Sequence, residues 1–139
     1  MRNLHPAYRV RDIVRSLAFY ETVGFRQLGR VDLEDGTTLL MLNLPGDGDD
    51  VTLELVSEPS RAPLEIGDGF SHLAVQVDSL VATLADLTRH GVAVDGPHAP
   101  GGESGPRTAF LHDPDGYRIE LVQWPDGHPT HLTRADFTP

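Results

Sequence analysis

The stretch HDPDGYRIELVQW, residues 112–124, decides the fold of this chain. Its Pro-Asp-Gly sequence predicts a tight turn, and the run that follows predicts a strand. Glu120 stands between Ile119 and Leu121 in that strand. A carboxylate among apolar neighbours is costly to bury unless a partner compensates its charge. The strand therefore predicts a partner for Glu120.

An earlier stretch, VTLELVSE at residues 51–58, repeats this pattern around Glu54. The match extends to other chemically distinctive positions. Each half of the chain has a His, a Gly 19 residues later and a Glu 48 or 49 residues after the His: His5, Gly24 and Glu54, then His72, Gly91 and Glu120. Such repetition indicates a tandem duplication.

Each half is predicted to fold as β-α-β-β-β. The first helix begins after Asp12 and ends at Gly24, and the second begins after Asp78 or Ser79 and ends at Gly91. Strand-like runs occupy residues 4–10, 25–33, 37–44, 51–56, 71–77, 92–97, 107–113 and 117–124. These runs place each His on the first strand of its half and each Glu on the fourth. The predicted organisation is a first module at 1–57, a linker at 58–69, a second module at 70–124 and a C-terminal tail at 125–139.

The composition excludes several classes of function. At 139 residues the chain suits one compact domain or two small modules with a shared core. The absence of cysteine excludes disulfides and thiolate zinc sites. A formal net charge of −10 disfavours nucleic acid as a partner. No apolar run spans a bilayer and no signal peptide is evident, so we expect no membrane association and a cytoplasmic location.

The duplication predicts that the two His and two Glu converge. Imidazole and carboxylate ligands without thiolate suit divalent Zn, Ni, Co, Mn or Fe, and four protein ligands leave room for substrate in an octahedral shell. Arg9 lies four residues after His5, so strand alternation places it on the face of the ligand. Residues 100–107 form a Gly-rich segment, either a lid with Arg107 facing an anionic substrate or a plain surface loop.

On these residues the chain resembles the vicinal oxygen chelate superfamily, and within it short bacterial glyoxalase I. The resemblance runs from the opening MRNLHPAYRVRDIVRSLAFYETVGF through VTLELV and GFSHLAVQV to AFLHDPDGYRIELV. It implies an α+β fold of tandem βαβββ modules that form an incomplete U-shaped barrel. It also implies a homodimer and a divalent metal ion, with Ni or Co favoured and Zn an alternative. The ligands that it implies are His5, Glu54, His72 and Glu120.

The resemblance further implies a metal-dependent isomerisation of a 2-oxoaldehyde–thiol hemithioacetal to an S-2-hydroxyacyl thioester. In that reaction Glu120 is the base, Glu54 the assisting carboxylate and Arg9 the thiol-binding residue. Two alternatives stay open. One is another enzyme of the superfamily, a non-haem iron or manganese dioxygenase, and the other is a metal-free drug-binding resistance protein.

Two positions depart from the pattern of glyoxalase I. Relatives commonly place an asparagine where this chain has Glu58, and some place an arginine where it has Asp68. Two acidic groups near a substrate that carries carboxylates would repel it. We therefore expect weak activity with glutathione and better turnover with a less acidic thiol.

Overall fold

The computed structural model describes residues 1–128 and 131–137, so residues 129 and 130 and residues 138 and 139 of the predicted tail lie outside the described residues. Two helices and eight strands are present in this part of the chain, with two short 3-10 turns. The helices are α1 (Ile13–Val23) and α2 (Leu80–Arg89). The strands are β1 (Ala7–Arg9), β2 (Arg26–Asp32), β3 (Thr38–Asn43), β4 (Leu53–Ser57), β5 (Leu73–Gln76), β6 (Asp95–His98), β7 (Arg107–His112) and β8 (Arg118–Gln123).

The chain forms two compact units. The first contains Met1–Phe70 together with the turn Asp113–Tyr117, and the second contains Ser71–His112 and the chain from Arg118 onward. The boundaries of the predicted modules, linker and tail stay a prediction.

The first unit is built on a four-stranded sheet in the order β1-β4-β3-β2. Strands β1 and β4 are parallel, and the other pairs are antiparallel. Strand β4 runs between β1 and β3, and its residue Glu54 lies opposite Ala7 of β1 and Met41 of β3. The register therefore centres Glu54 in one face of this sheet.

The second unit repeats the architecture with the order β5-β8-β7-β6. Strands β5 and β8 are parallel, and Glu120 lies opposite Ala74 of β5 and Phe110 of β7. Ala7 and Ala74 each follow a histidine by two residues, so the sheets match in register as well as in order. The predicted α+β fold with tandem βαβββ modules is confirmed.

Local capping sets the helix boundaries where the sequence predicts them, except that the C-cap of α2 is His90 and not Gly91. The Asp12 carboxylate accepts hydrogen bonds from the backbone amides of Val14 and Arg15, both at 3.0 Å, at the N-terminus of α1. Gly24 ends α1 with φ of 117°, a left-handed conformation that favours glycine. Ser79 is the residue that caps α2.

The alternation of each central strand divides its residues between a buried and an open face. In the first unit Leu53 and Leu55 of β4 are fully buried, and in the second Ile119 and Leu121 of β8 are buried likewise. Burial of a leucine or isoleucine side chain contributes about 1.5–3 kcal/mol. Because side chains alternate, this packing places Glu54 and Glu120 on the opposite, more open face.

A buried polar network fixes the turn Asp113–Tyr117 within the first unit. The Tyr20 hydroxyl donates to Asp113 Oδ2 at 3.0 Å and lies 2.9 Å from the Tyr8 hydroxyl. Asp113 Oδ1 accepts from the backbone amides of Asp115 and Tyr117. Asp113 is only 5% exposed, and this burial raises the pKa of its carboxyl. The turn is therefore held by a carboxylate of which both oxygens accept hydrogen bonds.

The strand prediction is wrong at two positions. β1 begins at Ala7 and β5 at Leu73, so His5 and His72 precede their strands instead of lying on them. In the first unit the parallel ladder begins at Pro6, whose carbonyl accepts from the Glu54 amide at 3.0 Å. No helix in the described part of the chain is long and apolar enough to cross a membrane.

Candidate functional site

The first unit brings His5 together with Glu54. His5 Nε2 lies 2.8 Å from Glu54 Oε2, and the two side chains are 13% and 16% exposed. The hydrogen bond to the Pro6 carbonyl fixes the backbone of Glu54 directly beside His5. The other ring nitrogen, His5 Nδ1, is buried without a hydrogen-bond partner.

The second unit brings His72 together with Glu120 in the same way. His72 Nε2 lies 3.0 Å from Glu120 Oε2, and these side chains are 33% and 20% exposed. His72 Nδ1 is hydrogen-bonded to Ser71 Oγ at 2.8 Å. The rings of His72 and Phe110 lie nearly perpendicular to each other, at 80°, with centroids 6.4 Å apart. Each duplicated half thus places one Nε2 against one Oε2.

The donor set of each pair fits a divalent metal ion. Two donor atoms that are each about 2.1 Å from one ion, at right angles around it, are about 3 Å apart. The Nε2–Oε2 separations of 2.8 and 3.0 Å are compatible with this distance, and in the structure itself they are direct contacts between the two side chains. The bond from His72 Nδ1 to Ser71 is of the kind that orients a histidine whose Nε2 binds a metal. Two imidazoles and two carboxylates suit Ni, Co or Zn.

The structure brings the four predicted ligands together as two pairs. Among the described residues, no group of three or more His, Asp or Glu side chains could hold a metal ion. Ligation of one metal by His5, Glu54, His72 and Glu120 stays a prediction, as do the catalytic roles of the two glutamates.

Arg9, the predicted thiol-binding residue, contacts other residues of the first unit. Its Nε lies 3.1 Å from Glu58 Oε2, an ion-pair contact without hydrogen-bond geometry, and its Nη2 donates to the Ala62 carbonyl at 2.8 Å. Glu58 also accepts a hydrogen bond from Arg61 Nη1 at 2.9 Å. Two guanidinium groups therefore oppose the Glu58 charge, whereas Asp68 is an exposed acid.

A pocket of about 280 Å³ adjoins this cluster in the first unit. Three arginines and one glutamate supply its charged lining, and the apolar part comes from Pro59, Ala62, Pro63, Leu64 and Val10. The charged residues are Arg9, Arg11, Arg61 and Glu58. The pocket thus has an excess of positive charge in a chain whose net charge is −10.

Arg107 lies in the second unit as the first residue of β7, opposite Gln123 of β8. Its side chain is exposed. The substrate-binding role of Arg107 and of Arg9 stays a prediction.

A family model described as the Glyoxalase/Bleomycin resistance protein/Dioxygenase superfamily matches residues 2–121. The chain belongs to this superfamily. A lactoylglutathione lyase of Neisseria meningitidis is 33% identical over 129 residues, which cover 91% of this chain and 94% of the relative. The superfamily membership and the similarity to glyoxalase I, both predicted from the motifs, are confirmed.

Two solved superfamily structures resemble this chain and differ in function. The trypanothione-dependent glyoxalase I of Leishmania major superposes with a TM-score of 0.73 at 33% identity, covering 88% of this chain and 86% of that one. TnmS3, an antibiotic-binding protein from Streptomyces sp. CB03234, superposes with a TM-score of 0.68 at 29% identity, covering 90% and 98%. The fold alone therefore does not distinguish an enzyme from a binding protein.

Two features of the site escaped sequence reasoning. The first is the Arg9–Glu58 ion pair, for which the sequence holds a signal, since these residues lie four positions after His5 and Glu54 respectively. The second is the stack of the Arg118 guanidinium on Phe110, with Cζ 3.7 Å from the ring centroid. No local pattern indicates that contact, because it depends on the register between β7 and β8.

Proposed function

We propose that this protein is a metal-dependent glyoxalase I-like lyase, which converts a 2-oxoaldehyde–thiol hemithioacetal to an S-2-hydroxyacyl thioester. The observation that carries the proposal is the recurrence of the His Nε2–Glu Oε2 pair at matched positions of two sheets with the same order. Similarity to lactoylglutathione lyases over nine-tenths of the chain supports it.

The four residues of the two pairs would hold the metal: His5, Glu54, His72 and Glu120. A bound divalent ion would supply a Lewis acid for the two vicinal oxygens of the substrate. Ni or Co is our favoured metal, with Zn as the alternative. The open faces of the two sheets leave all four side chains partly accessible.

In the proposed reaction Glu120 takes the proton from C1 of the hemithioacetal and returns it to C2. Glu54 assists by passing the C1 hydroxyl proton to the C2 oxygen. The C1 hydroxyl thereby becomes the thioester carbonyl and the C2 carbonyl becomes a hydroxyl. The sulfur stays attached throughout, so the isomerisation consumes no oxidant or reductant.

We propose that the thiol partner of the oxoaldehyde carries less negative charge than glutathione. Arg9 is occupied by Glu58 and the Ala62 carbonyl, so a substrate carboxylate must compete for it. Asp68 adds an exposed negative charge. We also propose that the protein is a cytoplasmic homodimer.

Steady-state assays of the Ni-, Co- and Zn-loaded protein test the proposal. The substrates are hemithioacetals of methylglyoxal with glutathione and with a thiol that lacks carboxylates, and the readout is formation of the thioester. We expect turnover with a lower KM for the less acidic adduct. Absence of turnover by every metal form on every adduct would contradict the proposed reaction.

A metal-free binding protein is the second candidate, because the chain is similar to an antibiotic-binding protein over nine-tenths of its length. Such a protein needs neither of the two His–Glu pairs. A protein without bound metal that binds an antibiotic, and does not turn over hemithioacetals, would favour this candidate over the enzyme.

A further inference from the structure

The Phe110 ring carries an arginine beside the second His–Glu pair. Phe110 lies on β7 directly opposite Glu120 of β8, and its ring centroid is 6.4 Å from that of His72. The guanidinium of Arg118 lies over the face of the same ring, with Cζ 3.7 Å from the centroid. One aromatic ring therefore lies nearly perpendicular to the histidine of the pair and has a cation over its face.

Arg118 is available to a ligand. No ion pair or hydrogen bond of its guanidinium is found within the ranges 1–128 and 131–137, and its side chain is half-buried. Arg9 differs, because Glu58 and the Ala62 carbonyl hold its guanidinium. The contact with Phe110 uses the face of the ring and none of the N–H donors of the guanidinium, which all lie in its plane.

The geometry of this cation suits a carboxylate. A planar guanidinium binds a carboxylate through two parallel hydrogen bonds, and a ring that fixes its plane reduces the entropy lost on binding. Arg118 precedes Glu120 by two residues on β8, so both side chains lie on one face, with Cα atoms about 7 Å apart. A carboxylate bound by Arg118 would therefore lie close to Glu120, the proposed base.

The feature is not a by-product of the duplication. In the first half, the residue two before Glu54 is Thr52, which corresponds to Arg118. The residue opposite Glu54 on the neighbouring strand is Met41, which corresponds to Phe110. The His, Ala and Glu of the pairs are common to both halves, whereas the stacked arginine occurs in the second alone. A role specific to one end of an asymmetric substrate accounts for this difference.

We propose that Arg118, positioned over the Phe110 ring, binds a carboxylate of the substrate beside the proposed base Glu120. This inference rests on the proposed function for the identity of the substrate. The carboxylate has two potential sources, the thiol and the 2-oxoaldehyde. In both cases the group recognised is the same, a carboxylate a short distance from the reacting carbons.

Substitution R118M tests the role, with R89M on the exposed last turn of α2 as the matched control. Four adducts separate the sources: methylglyoxal or a carboxylate-bearing 2-oxoaldehyde, each with glutathione or its dimethyl ester. We expect R118M to raise KM about tenfold or more for adducts whose carboxylate Arg118 binds, with kcat changed less than about threefold. R89M should leave the KM of every adduct unchanged, and R118M should leave the KM of the adduct without carboxylates unchanged. R118Q replaces R118M if the latter does not fold.

Loss confined to the glutathione adducts assigns the carboxylate to the thiol, and loss confined to the carboxylated oxoaldehyde assigns it to the aldehyde. Equal effects on charged and neutral adducts, or no effect, overturn the proposal. Calorimetry with S-alkyl thioethers of glutathione and of its ester measures binding without turnover. It therefore distinguishes failure of the Arg118 proposal from failure of the proposed enzyme function. With no turnover, a ratio of acid to ester affinity that is lower in R118M than in the parent still supports Arg118. A ratio that R118M leaves unchanged, measured also for S-carboxyalkyl against S-alkyl thioethers of the ester, overturns it.

Discussion

Arg9 and Glu58 form an ion pair in the first unit, with Nε and Oε2 3.1 Å apart, and each residue lies four positions beyond a predicted metal ligand. Arg61 donates a second charged contact to the same carboxylate. Two cations, Arg9 and Arg61, therefore oppose the charge of Glu58. We expect competition for Arg9, more than direct repulsion by Glu58, to limit the binding of a carboxylate there.

Releasing Arg9 should therefore improve the use of acidic thiols. We expect E58Q to lower KM for the glutathione adduct roughly fivefold, because an ion pair at this exposure is worth up to about 1 kcal/mol. The KM for an adduct without carboxylates should not change. E34Q, in the exposed turn between β2 and β3, is the control for loss of one negative charge. An unchanged ratio of the two KM values in E58Q would show that Glu58 does not restrain Arg9.

The two kinds of predicted ligand should respond differently to substitution. We expect E120Q to retain much of the bound metal and to lose activity by about 10²–10⁴-fold, because an amide coordinates through oxygen but is a poor base. H72A should instead lower metal affinity directly. Parallel measurement of metal content and kcat for both variants tests this. Parent-like turnover by E120Q would exclude Glu120 as the base.

The Asp113 network should control stability. D113A removes the acceptors of the Tyr20 hydroxyl and of two backbone amides, and we expect a loss of about 3 kcal/mol in the free energy of unfolding. Urea denaturation measures the loss. D35A, in an exposed turn, is the control, although its carboxylate accepts from the Thr37 amide. A loss from D113A no larger than that from D35A would contradict the importance of the network.

The same carboxyl predicts a pH dependence. Burial raises the pKa of Asp113, so as the pH rises the unfolded chain releases this proton before the folded chain does. The free energy of unfolding of the parent should therefore fall, relative to that of D113N, from about pH 4 until the pH passes the raised folded-state pKa. Above that pH the difference should be constant. A difference in the free energy of unfolding between the parent and D113N that does not change with pH would show that the Asp113 pKa is the same in the folded and unfolded states.

The proposed homodimer predicts a stable association at micromolar concentration. Each unit supplies two of the four proposed ligands, and a sheet face left uncovered by short modules favours association. Sedimentation at several concentrations should give twice the chain mass of 15.2 kDa. A monomer that carries a full complement of metal would contradict the dimer.

The sequence predicts features that depend on local chemistry. Asp12 and Gly24 set the ends of α1 through caps formed within a few residues, and apolar alternation places Glu54 and Glu120 on strands. The start of β1 at Ala7 was not predicted, because it depends on pairing with β4 far along the chain.

Long-range side-chain contacts were missed for the same reason. Tyr20 and Asp113 are 93 residues apart in sequence, and no periodicity relates them. The stack of Arg118 on Phe110 likewise requires the strand register, which a single sequence does not specify.

The central claim is that the two His–Glu pairs bind a divalent metal ion. Elemental analysis of the protein purified without a histidine tag tests it most directly, with H5A, H72A and the control H90A treated in the same way. His90 is the C-cap residue of α2 and belongs to neither pair. We predict about one Ni, Co or Zn ion per chain in the parent and in H90A, and strongly reduced metal in H5A and H72A. A parent that binds no metal when supplied with these ions, or H5A and H72A variants that retain it fully, would contradict the account.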